Sequence, residues 1–403
     1  MDISCLKRGQ RIFVSGSSNE PSGLLDELRA ASLPDDLHFI QFPLTGYNRN
    51  DFTAWHPSYH MTTMFMGPNL RAADPARLHF VPMHMRAIHD YLSRDVDVAL
   101  IQVARGRDGR LRLGPNVDFI AGALESAKFV LAECNEALTA PAGCPLIDEG
   151  RIDGMLVTHR PLFEFRAPVI DAAARAIGAE VAGLIRDGDC IQTGIGAIPA
   201  AILASLEDKN DLGMHGGLVD DGGMALVRNG NITGARKPLD TGTHVTGMAI
   251  GTHALMDWLA DSPEVVFRSA NYTHEIGVIR RLPGFVSVNS AVEIDLMGQV
   301  NAEYAGGRQI SGTGGSVDFM RAARLSPGGR SIVAMTATAR RGAASRIVPR
   351  VEVVTALRTD VDIVVTEHGV ADIRNLPLAA RAEALTAIAA PEFRDELREA
   401  ARR

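Results

Sequence analysis

Short apolar runs rich in β-branched residues alternate with alanine-rich runs of helical periodicity along the chain. This alternation is typical of a mostly parallel sheet flanked by helices. Several of the apolar runs contain almost no polar residue, as expected for strands that are covered on both faces. The pattern predicts strands at residues 11–15, 38–42, 96–103, 129–133, 190–193, 244–250, 285–296, 331–336 and 361–366. It predicts helices at residues 23–31, 118–126, 167–185, 199–206, 252–259, 318–323 and 378–389.

The length of 403 residues exceeds what one small core needs and predicts two domains. A helical run that ends near residue 185 is followed by Asp187 and Gly188, which form a turn signal. We place the boundary at this turn, which predicts domains at residues 1–186 and 187–403. Residues 44–76 are irregular, with scattered Gly, Pro and Asn, and predict a functional loop or lid.

The composition, 46% hydrophobic and 22% charged, is that of an ordinary globular protein. A net charge of −7 gives no overall attraction to nucleic acid or to an anionic membrane, since both require clustered Lys and Arg. The chain has no apolar run of membrane-spanning length and no apolar signal-peptide core at its start, so we expect a cytoplasmic protein. The four cysteines are too widely spaced for a disulfide or zinc framework and predict buried thiols without a metal.

A glycine turn follows the predicted strand at residues 190–193. Gly194 and Gly196 are followed by Ile198 and by Pro199, which suits the first turn of a helix. Glycines let a ligand approach the backbone closely, and the free amides at a helix start favour an anion. The same residues also suit a simple tight turn, and the missing third glycine argues against a dinucleotide fingerprint.

A second glycine-rich loop contains Gly312, Gly314 and Gly315 and is followed by a helical run and the pair Gly328 and Gly329. Ordering so many glycines is costly unless the backbone needs unusual torsions or a close approach to a ligand. Several arginines follow this loop, which makes a diphosphate-bearing ligand plausible. A structural interpretation, in which the loop caps the next helix, stays open.

Glu293 and Asp295 alternate along one predicted strand and therefore lie on the same face of it. Two neighbouring carboxylates shift each other's pKa when they share a cleft, or they are solvated separately on a surface. The apolar residues around them favour a cleft or a hydrogen-bonded structural role. The sequence leaves these alternatives open.

Five motifs in this order resemble the acetyl-CoA hydrolase/transferase family, in particular its 4-hydroxybutyrate CoA-transferases; they are Gly194–Pro199, Ser287–Glu303, Gly312–Phe319, Ser345–Pro349 and Thr366–Ala371. The resemblance implies two CoA-transferase-like α/β domains with mostly parallel sheets and an acyl-CoA in a cleft between them. It also implies a homodimer that binds coenzyme A or acyl-CoA as substrate and holds no tightly bound cofactor. The CoA-binding positions that it implies are Gly194, Gly196, Ile198, Pro199, Asn271, Gly312, Gly314, Gly315, Gly328, Gly329 and Arg346.

The family's catalytic glutamate attacks the thioester and passes through a glutamyl-CoA intermediate, which divides one difficult exchange into easier steps. In the matching segment of this chain, Leu212–Gly222, the position of that glutamate is Gly217. The resemblance also implies a Pro-Pro loop in the first domain. The corresponding segment of this chain, residues 104–109, contains no proline. Both differences fall where the resemblance places the substrate chemistry.

Three functions are consistent with this sequence. The first is transfer of an acyl group from CoA to an unknown acceptor or to water without a glutamyl-CoA intermediate, with His215, Glu293 or Asp220 as candidate catalytic residues. The second is conventional CoA transfer, in which Asp220 or Glu293 replaces the missing nucleophile. The third is a non-catalytic CoA-binding subunit. We expect the first, because displacing a nucleophile by about 1 Å costs on the order of 10²-fold in rate.

Overall fold

The computed structural model describes residues 3–166 and 169–402, so the predicted start of a helix at residues 167 and 168 lies outside the described part. The first strands are β1 (Arg11–Val14), β2 (His38–Gln41), β3 (His60–Thr63), β4 (Leu78–Phe80), β5 (Val98–Arg105), β6 (Leu111–Leu113), β7 (Phe129–Asn135) and β8 (Gly154–Thr158). They are followed by β9 (Cys190–Gln192), β10 (Gly213–Met214), β11 (Leu218–Val219), β12 (His244–Thr246), β13 (Met248–Ala249), β14 (Val265–Phe267), β15 (Phe285–Asn289), β16 (Glu293–Asp295) and β17 (Val300–Asn301). The last are β18 (Tyr304–Ala305), β19 (Arg308–Gln309), β20 (Arg330–Ala334), β21 (Thr338–Ala339), β22 (Ala344–Ser345), β23 (Ile347–Val348), β24 (Ile363–Thr366) and β25 (Gly369–Asp372).

The helices alternate with these strands, as the sequence predicts. They are α1 (Ser22–Ala30), α2 (Met85–Leu92), α3 (Ile120–Ser126), α4 (Ala172–Leu184), α5 (Ala197–Ala204), α6 (Asp221–Arg228), α7 (His253–Ala260), α8 (Ala270–Thr273), α9 (Ile276–Ile279), α10 (Ser316–Leu325), α11 (Leu378–Ala387) and α12 (Arg394–Arg402). Short 3₁₀ turns lie at Ser17–Asn19, Phe52–Ala54, Pro68–Leu70, Glu149–Arg151, Arg340–Gly342 and Pro391–Phe393. No helix in the described residues is both long enough and apolar enough to cross a membrane.

By its internal contacts the chain separates into two compact units, which we call unit 1 and unit 2. Unit 1 comprises Met1–Phe165, Gly217–Asp221 and Val245–Thr273, and unit 2 comprises Arg166–Gly216, Gly222–His244 and His274–Arg403. The predicted domain division at residue 186 stays a prediction. In this division, two short segments from the second half of the sequence belong to unit 1, which is built mainly from the first half.

Unit 1 is built on a sheet with the strand order β4-β3-β2-β1-β5-β7-β8. These neighbours pair in parallel, and β6 pairs antiparallel with β5. Strand β5 is buried from Val98 to Ala104, which agrees with its nearly unbroken apolar sequence and its place inside the sheet. Leu24, Phe39 and Phe52 belong to the core on this sheet.

Unit 2 is built on a smaller sheet with the order β10-β9-β15-β20-β24-β25. The pairs from β10 to β24 are parallel, and β25 returns antiparallel to β24. Because parallel strands point the same way, the carboxyl ends of β9, β15, β20 and β24 meet at one edge of the sheet. The predicted α/β class with mostly parallel sheets is confirmed.

Two predictions of local structure are wrong. Residues 44–76 are not irregular throughout, because His60–Thr63 form β3, whose His60 is in register with His38 of β2. The predicted strand at 285–296 is interrupted, since β15 ends at Asn289 and the chain resumes at Glu293 as β16, which pairs with β17 and β23 outside the main sheet of unit 2. The predicted buried thiols are confirmed for three of the four free cysteines, since Cys5 is only half-buried.

Candidate functional site

Gly217 lies in unit 1 and is held by its backbone alone. Its carbonyl accepts hydrogen bonds from the Gly247 amide at 3.2 Å and the Met248 amide at 3.0 Å. The following strand, β11, pairs in parallel with β13, so that Leu218 is opposite Met248. The backbone at Gly217 is therefore fixed in the fold, and this position carries no side chain.

A turn after β1 lies against the same strand, β13. Ser17 adopts a left-handed backbone conformation (φ +57°), and its amide donates to Asn48 Oδ1 at 2.7 Å. The Ser17 hydroxyl donates to the sulfur of Met248 at 3.3 Å, and the Ser18 hydroxyl donates to the Ala249 carbonyl at 2.9 Å. The two serines thus connect the backbone around Gly217 to a neighbouring cavity.

This cavity has a volume of about 490 Å³, which is in the range of small-molecule sites, and it is formed by residues of unit 1. Its wall combines serine hydroxyls, amides, aromatic rings and several cationic side chains. The lining residues are Ser17, Ser18, Glu20, Ser22, Gly46, Tyr47, Arg49, Gln102, Pro115, Asn135, Leu138, His159, Arg160, Pro161, Leu162, Phe163, Gly251, Thr252, His253 and Met256.

Glu20 is the acidic member of this wall. The Gln41 side-chain amide donates to its carboxylate at 2.8 Å. Burial is the largest influence and raises the pKa of Glu20, although the hydrogen bonds from Gln41, Asn48 and Asn50 oppose the shift. Because desolvation disfavours the charged form, this carboxyl group holds its proton to a higher pH than an exposed glutamate does.

Asp118 is a second buried acid close to Gly217. It lies on the segment before α3, and the residue is only 2% exposed. A methyl group at position 247 would be 1.8 Å from the Asp118 Oδ1 atom and 3.3 Å from the Gly217 carbonyl oxygen, so only glycine fits there. Burial raises the pKa of Asp118 to about 8. This carboxyl group therefore holds its proton at neutral pH.

In unit 2, polar side chains gather at the carboxyl edge of the sheet. Asn289 at the end of β15 donates to Gln192 Oε1 at the end of β9 at 3.2 Å. Glu367, which follows β24, accepts a hydrogen bond from the Ala337 amide at 2.7 Å. Ligands of open parallel sheets bind at this edge. These side chains therefore form a second candidate binding surface, within unit 2.

Arg346 lies at the same edge, and its backbone amide donates to the Ala337 carbonyl at 2.9 Å. Burial lowers the pKa of its guanidinium, while the negative charges of Glu367 and Glu293 oppose that shift. Its Nε is buried without a hydrogen-bond partner among the described residues. Arg346 thus remains a charged donor with unused capacity, which suits its predicted role in binding an anionic ligand.

The predicted glycine turns differ in how much space they leave. A Cβ atom at Gly194 or Gly196 would meet nothing within 4 Å, and Gly196 (φ +119°) is the N-cap residue of α5, so this turn is open to a ligand. A side chain at Gly315 would be 2.3 Å from Nε2 of His274. At Gly329 it would be 2.1 Å from the Ala323 carbonyl, which indicates a packing role. Of the other predicted CoA-binding positions, Ile198 and Pro199 lie in α5, Gly312 and Gly314 in the loop before α10, Gly328 in the turn before β20, and Asn271 in α8 of unit 1.

The three predicted catalytic residues are not brought together in one unit. Asp220 belongs to unit 1 and is half-buried, whereas His215 and Glu293 belong to unit 2. His215 is completely buried, with its ring 6.4 Å from that of Phe285. Glu293 is half-buried and accepts a long hydrogen bond of 3.4 Å from Asn301.

Asp295, the neighbour of Glu293 on the strand, has a structural role. Its carboxylate accepts hydrogen bonds from the Met297 and Gln299 amides and from the Gln299 side chain, at 2.8–3.0 Å, and so fixes a turn. Of the alternatives left open for this pair, the hydrogen-bonded structural role holds for Asp295. Within residues 3–166 and 169–402, no group of three or more His, Cys, Asp or Glu side chains is arranged to hold a metal ion.

Sequence reasoning missed the residues of the unit 1 cavity. The signal was the Ser-Gly-Ser-Ser run at residues 15–18, directly after β1, because ligand-binding loops occur at the carboxyl ends of parallel strands. Tyr47 and Arg49 lie in the stretch expected to be a functional loop, but nothing in their spacing indicates a shared cavity. Asp118 falls in a predicted helix, and only the fold reveals its burial.

Comparisons with known proteins agree with these features. Residues 2–150 match the acetyl-CoA hydrolase/transferase N-terminal domain, and residues 251–401 match the C-terminal domain of the same family. The chain is 43% identical over 404 residues to the 4-hydroxybutyrate coenzyme A transferase of Clostridium kluyveri. This match covers 98% of the chain and 94% of the Clostridium protein.

Two crystal structures are similar over nearly the whole chain. RipA from Yersinia pestis has a TM-score of 0.92 at 29% identity, covering 98% of this chain and 94% of that one. A 4-hydroxybutyrate CoA-transferase from Porphyromonas gingivalis has a TM-score of 0.79 at 31% identity, covering 99% and 95%. The predicted resemblance and the class of acyl-CoA transferase or hydrolase are confirmed. The chain belongs to the acetyl-CoA hydrolase/transferase family.

Proposed function

We propose that this enzyme transfers an acyl group from CoA directly to an acceptor or to water, without a glutamyl-CoA intermediate. The observation that carries the proposal is Gly217, which stands where the resemblance places the catalytic glutamate. Its carbonyl is held by two backbone amides, so the segment is ordered although the nucleophile is absent. In a family member without a side chain at this position, the acceptor itself can attack the thioester directly.

The proposed reaction is a single displacement at the thioester carbon. An oxygen or nitrogen of the acceptor bonds to the carbonyl carbon, and the bond from that carbon to the CoA sulfur breaks. The acceptor's proton passes to a base and then to the departing thiolate. A positioned base contributes about 10²–10⁴-fold to such a step.

Among the predicted candidates, Glu293 is the base that the geometry supports best. It is half-buried, is held by one long hydrogen bond to Asn301, and feels the positive charge of Arg346. His215 is completely buried and is therefore less suited to meet an acceptor. Asp220 is half-buried and remains the second candidate.

Conventional CoA transfer between carboxylates is the second candidate function. It is favoured by the name of the Clostridium kluyveri relative, a coenzyme A transferase that is 43% identical to this chain. In that case Asp220 or Glu293 would have to attack the thioester in place of the missing glutamate. The expected homodimer and the identity of the acceptor remain predictions under either function.

Initial-rate kinetics separate the two functions. With acetyl-CoA as donor, direct transfer releases free CoA, by hydrolysis in water or by aminolysis with an added amine, and gives intersecting double-reciprocal lines when donor and amine are varied. Butyrate is the acceptor that tests the alternative, since only CoA transfer converts it to butyryl-CoA. Parallel lines, the pattern of a covalent enzyme intermediate, would overturn the proposal. So would stabilisation by CoA without turnover of any acyl-CoA, which is the behaviour of a non-catalytic subunit. Glu293→Gln should lower kcat by about 10²-fold or more if Glu293 is the base.

A further inference from the structure

The arginines of unit 2 that follow the second glycine-rich loop differ in whether an acid neutralises them. Three of them lie beside aspartates, in the pairs Arg321 with Asp360, Arg324 with Asp362 and Arg330 with Asp189. Arg340 and Arg341 are exposed and make no ion pair or side-chain hydrogen bond with the described residues. Their two positive charges are therefore available to an anionic ligand.

These two arginines lie in a strained turn. Strands β21 and β22 pair antiparallel, with Thr338 opposite Ser345, and the turn between them contains Arg340–Gly342. The φ angles of Arg340, Arg341 and Gly342 are +51°, +59° and +89°, so two consecutive residues with side chains adopt the left-handed conformation. This conformation is unfavourable for a residue with a Cβ atom, and such strain concentrates at ligand-binding sites. The turn is thus a candidate for a binding function.

The turn follows the carboxyl edge of the unit 2 sheet, where ligands of open parallel sheets bind. Strand β20 ends at Ala334, and the Ala337 amide then donates to the Glu367 carboxylate at 2.7 Å. At the other end of the hairpin, the Arg346 amide donates to the Ala337 carbonyl at 2.9 Å. The base of the hairpin is therefore fixed at this edge, and residues 336–345 include no acidic side chain that would repel an anion.

Two adjacent guanidinium groups match a phosphate better than a single carboxylate. A phosphate monoester carries a charge of about −1.5 to −2 at neutral pH and three acceptor oxygens, and each guanidinium presents several donors in one plane. The nucleotide part of CoA carries a 3′-phosphate and a diphosphate, whereas its pantetheine arm is uncharged. The nucleotide is therefore the part of an acyl-CoA donor that the chemistry of this turn fits.

We propose that the turn Arg340–Gly342 binds a phosphate group of the CoA nucleotide, with Arg340 and Arg341 as hydrogen-bond donors. The turn thereby favours acyl donors that carry this nucleotide over thioesters of pantetheine alone. The proposal rests on the acyl-CoA donor of the proposed function, but not on the route by which the acyl group is transferred. Arg340 and Arg341 act in selecting the donor and take no part in breaking the thioester bond.

Direct binding tests the proposal without requiring turnover. We would measure by calorimetry how the wild type and the double variant Arg340→Gln, Arg341→Gln bind CoA, 3′-dephospho-CoA and pantetheine. The double variant should bind CoA about tenfold or more weakly, because it loses charge-assisted hydrogen bonds, and should bind pantetheine as the wild type does. A loss that persists with 3′-dephospho-CoA would assign the diphosphate to the turn, and a loss confined to CoA would assign the 3′-phosphate.

A matched control and the salt dependence locate the effect. Arg281→Gln removes another exposed arginine of unit 2, close to the start of β15 at the amino edge of the sheet, and should leave all three affinities unchanged. High salt should weaken CoA binding more in the wild type than in the double variant, because salt screens exposed charges. A double variant that binds CoA as tightly as the wild type, or that loses the same factor for pantetheine, would rule out phosphate recognition by this turn. A covalent intermediate would refute direct acyl transfer and leave this binding result unchanged.

Discussion

Replacing Asp118 by asparagine tests how strongly this buried acid is perturbed. Asparagine has the shape of a protonated aspartate and carries no charge at any pH. Burial raises the pKa of Asp118 from 3.8 to about 8. The folded protein therefore keeps the proton on this group over about four pH units in which the unfolded chain has lost it.

The sign and size of the effect follow from this raised pKa. Because the folded state binds the proton more tightly, the stability associated with Asp118 is fully present below pH 4 and is lost as the pH rises to about 8. Each pH unit between the two pKa values is worth about 1.4 kcal/mol, so over about four pH units the loss reaches roughly 5–6 kcal/mol. Asp118→Asn removes this loss, and the variant should become progressively more stable than the wild type across that range.

The assay is urea unfolding of both proteins at a series of pH values from 4 to 9. Asp257→Asn, at an exposed position of α7, is the matched control for the loss of one negative charge. The difference between Asp118→Asn and the wild type should grow by about 1.4 kcal/mol per pH unit and level off near pH 8. A difference that does not vary with pH would refute the assignment of a strongly raised pKa.

Further substitutions test packing in unit 2. Gly315→Ala should cost about 1–3 kcal/mol in unfolding free energy, because the new methyl group would be 2.3 Å from His274. Gly183→Ala, at a helix position with nothing within 4 Å, should instead stabilise by about 0.5–1 kcal/mol, and urea unfolding of both checks the contrast. Asp189→Asn should cost about 3 kcal/mol, because it leaves Arg330 buried without its charged partner. The double variant Asp189→Asn, Arg330→Met should recover part of the lost stability, because it removes the unpaired charge, and thermal unfolding of both variants measures this recovery. A double variant that unfolds at a lower temperature than Asp189→Asn would contradict the reasoning.

The sheets were predictable because their strands are doubly covered. Strand β5, apolar over nearly its whole length, and the strand, glycine turn and helix around Gly196 each carry a local signal that the fold preserves. Strand β3 carries no such signal, because its sequence mixes His, Met and Thr and only pairing with β2 makes it a strand. The β-propensity of a four-residue segment is too weak to specify a strand, so its conformation depends on long-range pairing.

The candidate site was only partly predictable for a related reason. Motif order along the sequence indicated the family, because it depends on local sequence. The cavity depends on residues that are far apart in sequence, such as Ser18 and Ala249, which one hydrogen bond joins. The burial of Asp118 likewise depends on Gly247, more than a hundred residues away. Such proximity follows from topology, which no periodicity in the sequence encodes.

Direct acyl transfer is tested most directly by the mass of the intact protein during turnover. Wild type and Gly217→Glu would each be mixed with acetyl-CoA and butyrate, treated with borohydride to trap a thioester on the protein, and weighed. We predict that the wild type turns over acetyl-CoA and keeps its mass. Gly217→Glu, which carries a carboxylate where the resemblance places the glutamate, should lose mass, because borohydride reduces its glutamyl thioester to an alcohol and releases CoA. A carboxyl group reduced to an alcohol in the wild-type protein, at Glu293, Asp220 or any other residue, would contradict transfer without a covalent intermediate.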